Sequence, residues 1–242
     1  MDSPVECWEG HHYVKEFDLE RDVVFEELLR RCSAGVYRFV HFGLPRASWS
    51  AIQRMNGGTR RAWRPEGDST RETELKANVL AARVCVLCTV LHKRGCLFVV
   101  ENPLDSHVWM FEPMSAVRQM SGVQEVDFDM CMFGLRPPAR AGLDENVRVK
   151  SATRLVGNFE GLNGLKVRCD GQHQHAPALG VARDSSGPQS SARVAGSYPT
   201  SFCSALARAV CGELGLPSAG GKEGRQRRSG PATRARAAVP TA

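Results

Sequence analysis

The chain has 242 residues, 42% of them hydrophobic, which suits one ordinary domain with some loose sequence beside it. Its net charge of +6 is deceptive: from Gly221 onward six basic residues stand against the single acid Glu223, so five of the six net charges sit in that tail, and the near-neutral body gives no sign of a basic nucleic-acid footprint. The start lacks the charged-then-apolar pattern of a secretory signal, no apolar run reaches the roughly 18 residues that cross a bilayer, and nine scattered cysteines fit reduced, mostly buried thiols; the expectation is a soluble protein without membrane contact, intracellular, nuclear or cytoplasmic.

In chain order, "FEELLRRC" is expected as a helix with Phe25, Leu28 and Leu29 on one face. "GVYRFVHF", rich in β-branched and aromatic residues and ending at Gly43, is expected as a buried strand. A polar, Gly-rich loop follows over 55–68, and with the flanking Arg54 it carries Arg60, Arg61 and Arg64. Ser69 and Glu72 have the spacing of a capping box. Beyond them Leu75, Val79, Ala82, Val86 and Val90 repeat at helical spacing, widened by Leu80, Val84, Leu87 and Leu91, until Gly95 stops the helix. "CLFVV" (96–100) is a short continuous apolar run, as in a strand covered on both faces. Next are expected a short helix near 113–120, a strand over 123–134, a strand or pair of short strands over 147–158, and a closing helix over 198–215. Residues 176–197 are expected as a mobile insertion in an α/β domain spanning 1–215, and 216–242 as a disordered basic tail.

Two segments, "GLPRASWS" and "ENPLDSHVW", end expected strands with polar, conformationally special residues. In open α/β sheets ligands bind at the carboxyl ends of strands, so a site is expected between them.

These residues resemble a family. "GLPRASWS" resembles the Pro-Cys-x-x-Phe-Ser loop of C5-cytosine DNA methyltransferases, "VVENP" their Glu-Asn-Val strand end, and the order strand, loop, long helix, strand between the two is similar. "VRVKSATRLVGN" is a looser match to the segment that brings basic residues to the base, and "AGSYPTSFCSALARAV" is similar to the closing Pro-containing helix. The resemblance spans about residues 36–212 and is nearer to divergent methylase-like proteins of algal and mobile-element origin than to a bacterial enzyme. It implies a partial Rossmann-like methyltransferase core, α/β, with a mostly parallel central sheet. In the family a thiolate attacks C6 of a flipped-out cytosine while a glutamate holds N3. Glu101 matches the glutamate, Pro45 and Ser50 match the loop, and Arg46 falls on the cysteine. Arginine stays protonated and offers no lone pair to carbon, so the covalent route cannot run from this position. The family's Gly-rich turn for S-adenosylmethionine has no counterpart upstream of Val36, where only Asp18 and Glu20 could approach a ribose. The resemblance thus implies a protein without catalysis, and S-adenosylmethionine as cofactor only where the activity survives.

A contact to DNA or RNA is the expected partner interaction, through Arg46, Arg54, Arg60, Arg61, Arg64, Arg154 and the tail. Trp49 and Trp109 suit base stacking or core packing. The contrasting expectation is a non-enzymatic binding or interaction module, stabilised by zinc. Cys169, His173 and His175 lie within seven residues, with Cys131 able to join from an adjacent strand, although the paired Cys-x-x-Cys half of common zinc sites is missing there. Cys85 and Cys88 do form Cys-x-x-Cys, but within the apolar helix, and are expected as core thiols.

Overall fold

The structure is a computed structural model and describes residues 18–137, 146–176, 181–184, 187–190 and 196–217, with the side chains of Ile52, Arg54 and the 181–190 hairpin outside the description. The basic tail beyond residue 217, and Arg54 as a candidate phosphate ligand, therefore lie outside the described residues.

A four-stranded sheet organises the chain. It contains β1 (Phe39–Gly43), β2 (Leu97–Pro103), β3 (Gln124–Asp129) and β5 (Ala152–Gly157), in the order β1-β2-β5-β3. β4 (Arg148–Val149) pairs with β6 (His175–Ala176), and a hairpin of β7 (Val181–Asp184) and β8 (Gly187–Ser190) lies within the stretch expected as a mobile insertion. The helices are α1 (Asp22–Ser33), α2 (Arg46–Trp49), α3 (Glu72–Lys93), α4 (Glu112–Arg118) and α5 (Thr200–Glu213).

The sheet is mixed. β1 pairs with β2 in parallel, while β5 runs antiparallel to both of its neighbours, β2 and β3. Three strands therefore point one way, although one pairing alone is parallel. Parallel neighbours need a long crossover, which loop 44–71 and α3 supply between β1 and β2; β5 needs none, because it re-enters from the rim where β3 ends.

Period-two alternation divides the core between the two faces of the sheet. Phe98, Val100 and Val156 face the buried side of α3, with Trp49, Val108, Trp109 and Met114. Leu97, Val99, Val126, Phe128 and Leu155 face the other way, against Phe202, Leu206 and Val210 of α5. Phe128 stacks on Phe202 with centroids 5.1 Å apart. Each fully buried large apolar side chain contributes about 1.5–3 kcal/mol. The result is helices on both faces of a sheet. β2, buried almost throughout, is the doubly covered strand that "CLFVV" implies, whereas β1 lies at an edge and is only half-buried.

Two details of α3 differ from expectation. No capping box forms: the helix starts at Glu72 with Arg71 as N-cap, and Asp68 instead turns its carboxylate onto the Thr70 N–H and hydroxyl. The core face is Ala81, Val84, Cys85, Leu87, Cys88 and Leu91, while Leu75, Val79 and Val86 are exposed. An all-round apolar helix has no periodic signal to name its inner face. α3 is long and apolar enough to cross a bilayer by length and composition, yet its inner face packs in the core described above. Cys85 and Cys88 are buried there as thiols, and burial pushes Cys85 up to about 12.

At Gly157 the chain passes so close to its neighbours that an added Cβ would lie 2.6 Å from the Phe98 carbonyl oxygen and 2.6 Å from Leu162 Cδ1. Gly157→Ala is therefore expected to lower stability by about 1–3 kcal/mol, read as a drop in denaturation midpoint at unchanged slope. Gly95→Ala meets no atom within 4 Å but sits at φ +67°, so its cost is conformational only, about 1 kcal/mol.

Candidate functional site

The parallel register sets Gly43 beside Glu101 at the carboxyl ends of β1 and β2. The chain leaves β1 through Leu44 and Pro45 and turns at once into α2. Asn102 holds that exit in place, its amide donating to the Leu44 carbonyl at 2.8 Å. Pro45 is the N-cap residue of α2, and Ser50 closes the helix by donating its N–H to the Arg46 carbonyl at 3.0 Å. The two strand-end segments therefore meet at one rim.

What fills the space between them is Arg46. Its Nη2 donates to Glu101 Oε1 at 2.7 Å, and its Nη1 reaches Ser151 Oγ at 3.4 Å. The Tyr198 hydroxyl, arriving from just before α5, donates to Glu101 Oε2 at 2.7 Å. Each Glu101 oxygen thus has its own donor, and the residue is 1% exposed. Burial pushes its carboxyl up from the usual range, held back by the Arg46 charge and by hydrogen bonds from Tyr198 and Arg46. Burial and the Glu101 charge likewise raise the Tyr198 phenol. Gly43 makes room for this arrangement, because a Cβ there would sit 2.9 Å from the Tyr198 oxygen. His41, two residues back on β1, lies 5.5 Å from the Tyr198 ring. Burial lowers His41 to about 4, so it is neutral at physiological pH.

The other arginines expected to grip nucleic acid divide. Arg60 is an interior strut, 3% exposed, with its guanidinium 3.6 Å from the centre of the Trp49 ring. It donates to Ser48 Oγ, Asn78 Oδ1 and the carbonyls of Pro65 and Glu74, and burial brings it down to about 10. It is not available to a phosphate. Arg154 is also committed: its guanidinium forks onto Asp127 at 2.7 and 2.9 Å and reaches Glu125 at 3.3 Å. Cross-strand pairing on one sheet face puts Arg154 opposite Asp127. Arg61 donates to the Gly58 and Arg60 carbonyls, and Arg64 is exposed. Trp49 and Trp109 are core residues, with Trp109 donating its indole N–H to the Pro103 carbonyl at 2.7 Å. Among the described residues the most exposed aromatic is Trp63, between Ala62 and Arg64, at 83% exposure, ahead of Tyr198 at 38%. Its signal in the sequence is a tryptophan in a Gly- and Arg-rich loop with no large apolar residue beside it.

A second constellation lies at the same rim, beyond β3. Cys131 sits in the turn Met130–Phe133 that follows the strand, and Cys169, His173 and His175 converge on it. Cys169 Sγ is 3.6 Å from His173 Nε2 and 3.5 Å from His175 Nε2. The Cys131 thiol is pushed up to about 12 by burial, then by Cys169.

Comparison with family models, with curated proteins and with solved structures finds no match for the chain. Its function must therefore be argued from the geometry.

Replacing Arg46 leaves a buried carboxylate without its countercharge. Arg46→Ala is expected to cost about 2–3 kcal/mol at neutral pH, at or below the low end for a broken buried pair, since the arginine side chain keeps 22% exposure. The folded carboxyl is already raised, and without Arg46 it rises further. The native state then binds a proton more readily than the unfolded chain, so stability falls as pH rises through the folded value. The deficit against wild type should accordingly shrink in acid and be largest above neutrality. Urea titrations across pH measure this, and a pH-independent deficit would show that the pair is not its cause.

Proposed function

We propose that the chain is a catalytically silent relative of C5-cytosine DNA methyltransferases, a partial Rossmann-like core whose base-binding crevice is closed by its own arginine. One observation carries this: the residue at the nucleophile's position, Arg46, is bonded to Glu101, the residue at the base-holding position, across the carboxyl ends of two adjacent parallel strands. The order strand, loop, long helix, strand, followed by a reversed strand carrying Arg154 and a closing helix preceded by Tyr198-Pro199, supports the same kinship.

The chemistry explains the silence. A base nucleophile must offer a lone pair near C6; a guanidinium paired with a carboxylate has none to give. No cysteine lies in loop 43–56 to replace it. Glu101, with one oxygen taken by Arg46 and the other by Tyr198, is already satisfied without a base. The residues also do not fit the methyl donor. Among the described residues before β1 stand α1 and a turn, with no strand followed by a glycine-rich turn, so no step is routed through S-adenosylmethionine.

If the crevice descends from a cytosine pocket, emptying it should restore recognition. Arg46→Ala is expected to bind deoxycytidine monophosphate by titration calorimetry and to prefer it to thymidine monophosphate. Glu101→Gln in the same background is expected to remove the preference, and wild type to bind neither. A folded Arg46→Ala protein that does not distinguish the nucleotides would refute the kinship.

One observation favours a surviving contact to single-stranded DNA or RNA: Trp63 and Arg64 stand exposed together at the tip of the loop before α3. Aromatic stacking of this kind contributes about 1–3 kcal/mol per base. Trp63→Ala is expected to weaken binding of a fluorescent oligonucleotide by about five- to a hundredfold, measured by anisotropy at fixed salt. Unchanged affinity would move any contact elsewhere.

A further inference from the structure

We infer that Cys131, Cys169, His173 and His175 form a structural zinc site that joins the end of β3 to the 167–176 segment. All four donor atoms lie within 4.8 Å of one another. The finer distances are more telling. Zinc bonds of about 2.3 Å to sulfur and about 2.05 Å to nitrogen, at the tetrahedral angle, set a sulfur and a nitrogen about 3.6 Å apart. The Cys169 sulfur lies 3.6 and 3.5 Å from the Nε2 atoms of His173 and His175. Two edges of a tetrahedron are thus already at length, with the Cys131 sulfur as the fourth donor within the same 4.8 Å.

The surroundings suit a metal as well as the donors do. The Gly171 N–H points at Cys169 Sγ, 3.4 Å away, a bond that offsets the charge of a coordinated thiolate. Gly171 has φ +76°, which lets the chain double back between Cys169 and His173. Asp129 Oδ2 accepts the Cys169 N–H at 2.9 Å and fixes its backbone. The Asp170 carboxylate lies 4.0 Å from His173 Nδ1, on the ring's outer side, where it favours coordination through Nε2.

Regular secondary structure holds the segment only briefly. β4 and β6 pair over two residues only, and Lys166, Arg168, Asp170, Gly171, Gln172 and Gln174 are exposed. Two thiolates and two imidazoles are a borderline-soft set that selects zinc over magnesium or calcium. Four protein ligands leave no position for water or substrate, so the role is structural. This inference does not rest on the methyltransferase kinship, and either can fail alone.

The full chain, expressed without a histidine tag in zinc-supplemented medium and purified in reductant, is to be analysed by plasma mass spectrometry. Stoichiometric zinc is expected, retained by Cys203→Ser, an exposed thiol away from the cluster, and lost from Cys169→Ser and His175→Ala. Chelation should lower the melting temperature, and zinc should restore it. Because ligand variants can unfold, wild type exchanged with cobalt(II) supplies an independent measure: intense visible bands of tetrahedral cobalt and a near-ultraviolet thiolate band are expected. Wild type free of metal and indifferent to chelator, a weak octahedral cobalt spectrum, or zinc retained by a Cys131→Ser/Cys169→Ser double variant would each overturn the site.

Discussion

A carboxylate buried at the end of a central strand is the constraint on which this rim depends. Glu101 cannot remain charged inside a protein without donors for both oxygens and a positive charge close by. Arg46 and Tyr198 meet those demands from opposite directions, one from the loop after β1 and one from the approach to α5. Parts of the chain 55 and 97 residues away from Glu101 in sequence are thereby drawn to one point. The backbone cooperates: the parallel register sets Gly43 at Glu101, the missing Cβ admits the phenol, and Asn102 anchors the loop that carries the arginine. A neutral residue at 101 would relieve the electrostatic demand and remove the reason for Arg46 to turn inward.

What could be read in the sequence were features with local causes. The strand "CLFVV", the stop at Gly95 and the meeting of the two strand-end segments follow from hydrophobic runs, glycine and chain order. Features with non-local causes were not legible. The inner face of α3 is chosen by α1, α4 and the sheet, since the helix is apolar all round. The reversal of β5 depends on which strand edge it reaches after a long connection. The fates of Arg60 and Arg154 depend on partners such as Glu74 and Asp127, 14 and 27 residues away. On paper a loop arginine looks like a phosphate ligand; folded, its donors are taken by carbonyls and carboxylates.

Arg60 shows how the loop before α3 is ordered with few apolar side chains. Its guanidinium lies on Trp49 and donates to the loop and to the first turns of α3. Glu74 gathers the N–H groups of Thr59 and Asp68 and the Thr59 hydroxyl. Burial works against its charge, but these donors prevail and lower its carboxyl below the usual range. Gly67, whose Cβ would collide with that carboxylate, belongs to the same arrangement. A polar network of this kind is rigid only when every member is satisfied. Trp63 is presented to solvent at the outer end of a loop whose inner end is fixed.

Ser151 links the two halves of the rim. Its hydroxyl receives Arg46, and its carbonyl receives the Met130 N–H next to Cys131. The Asp129 carboxylate, at the end of β3, accepts the Cys169 N–H and pairs with Arg168 at 3.3 Å. A shift of the turn after β3 that keeps the Met130–Ser151 bond moves the Ser151 backbone, and with it the hydroxyl that accepts from the Arg46 guanidinium. Glu101 would feel that shift through Arg46. The buried ion pair and the cysteine–histidine cluster are parts of one hydrogen-bonded edge, and the order of the crevice depends on the order of the turn beside it.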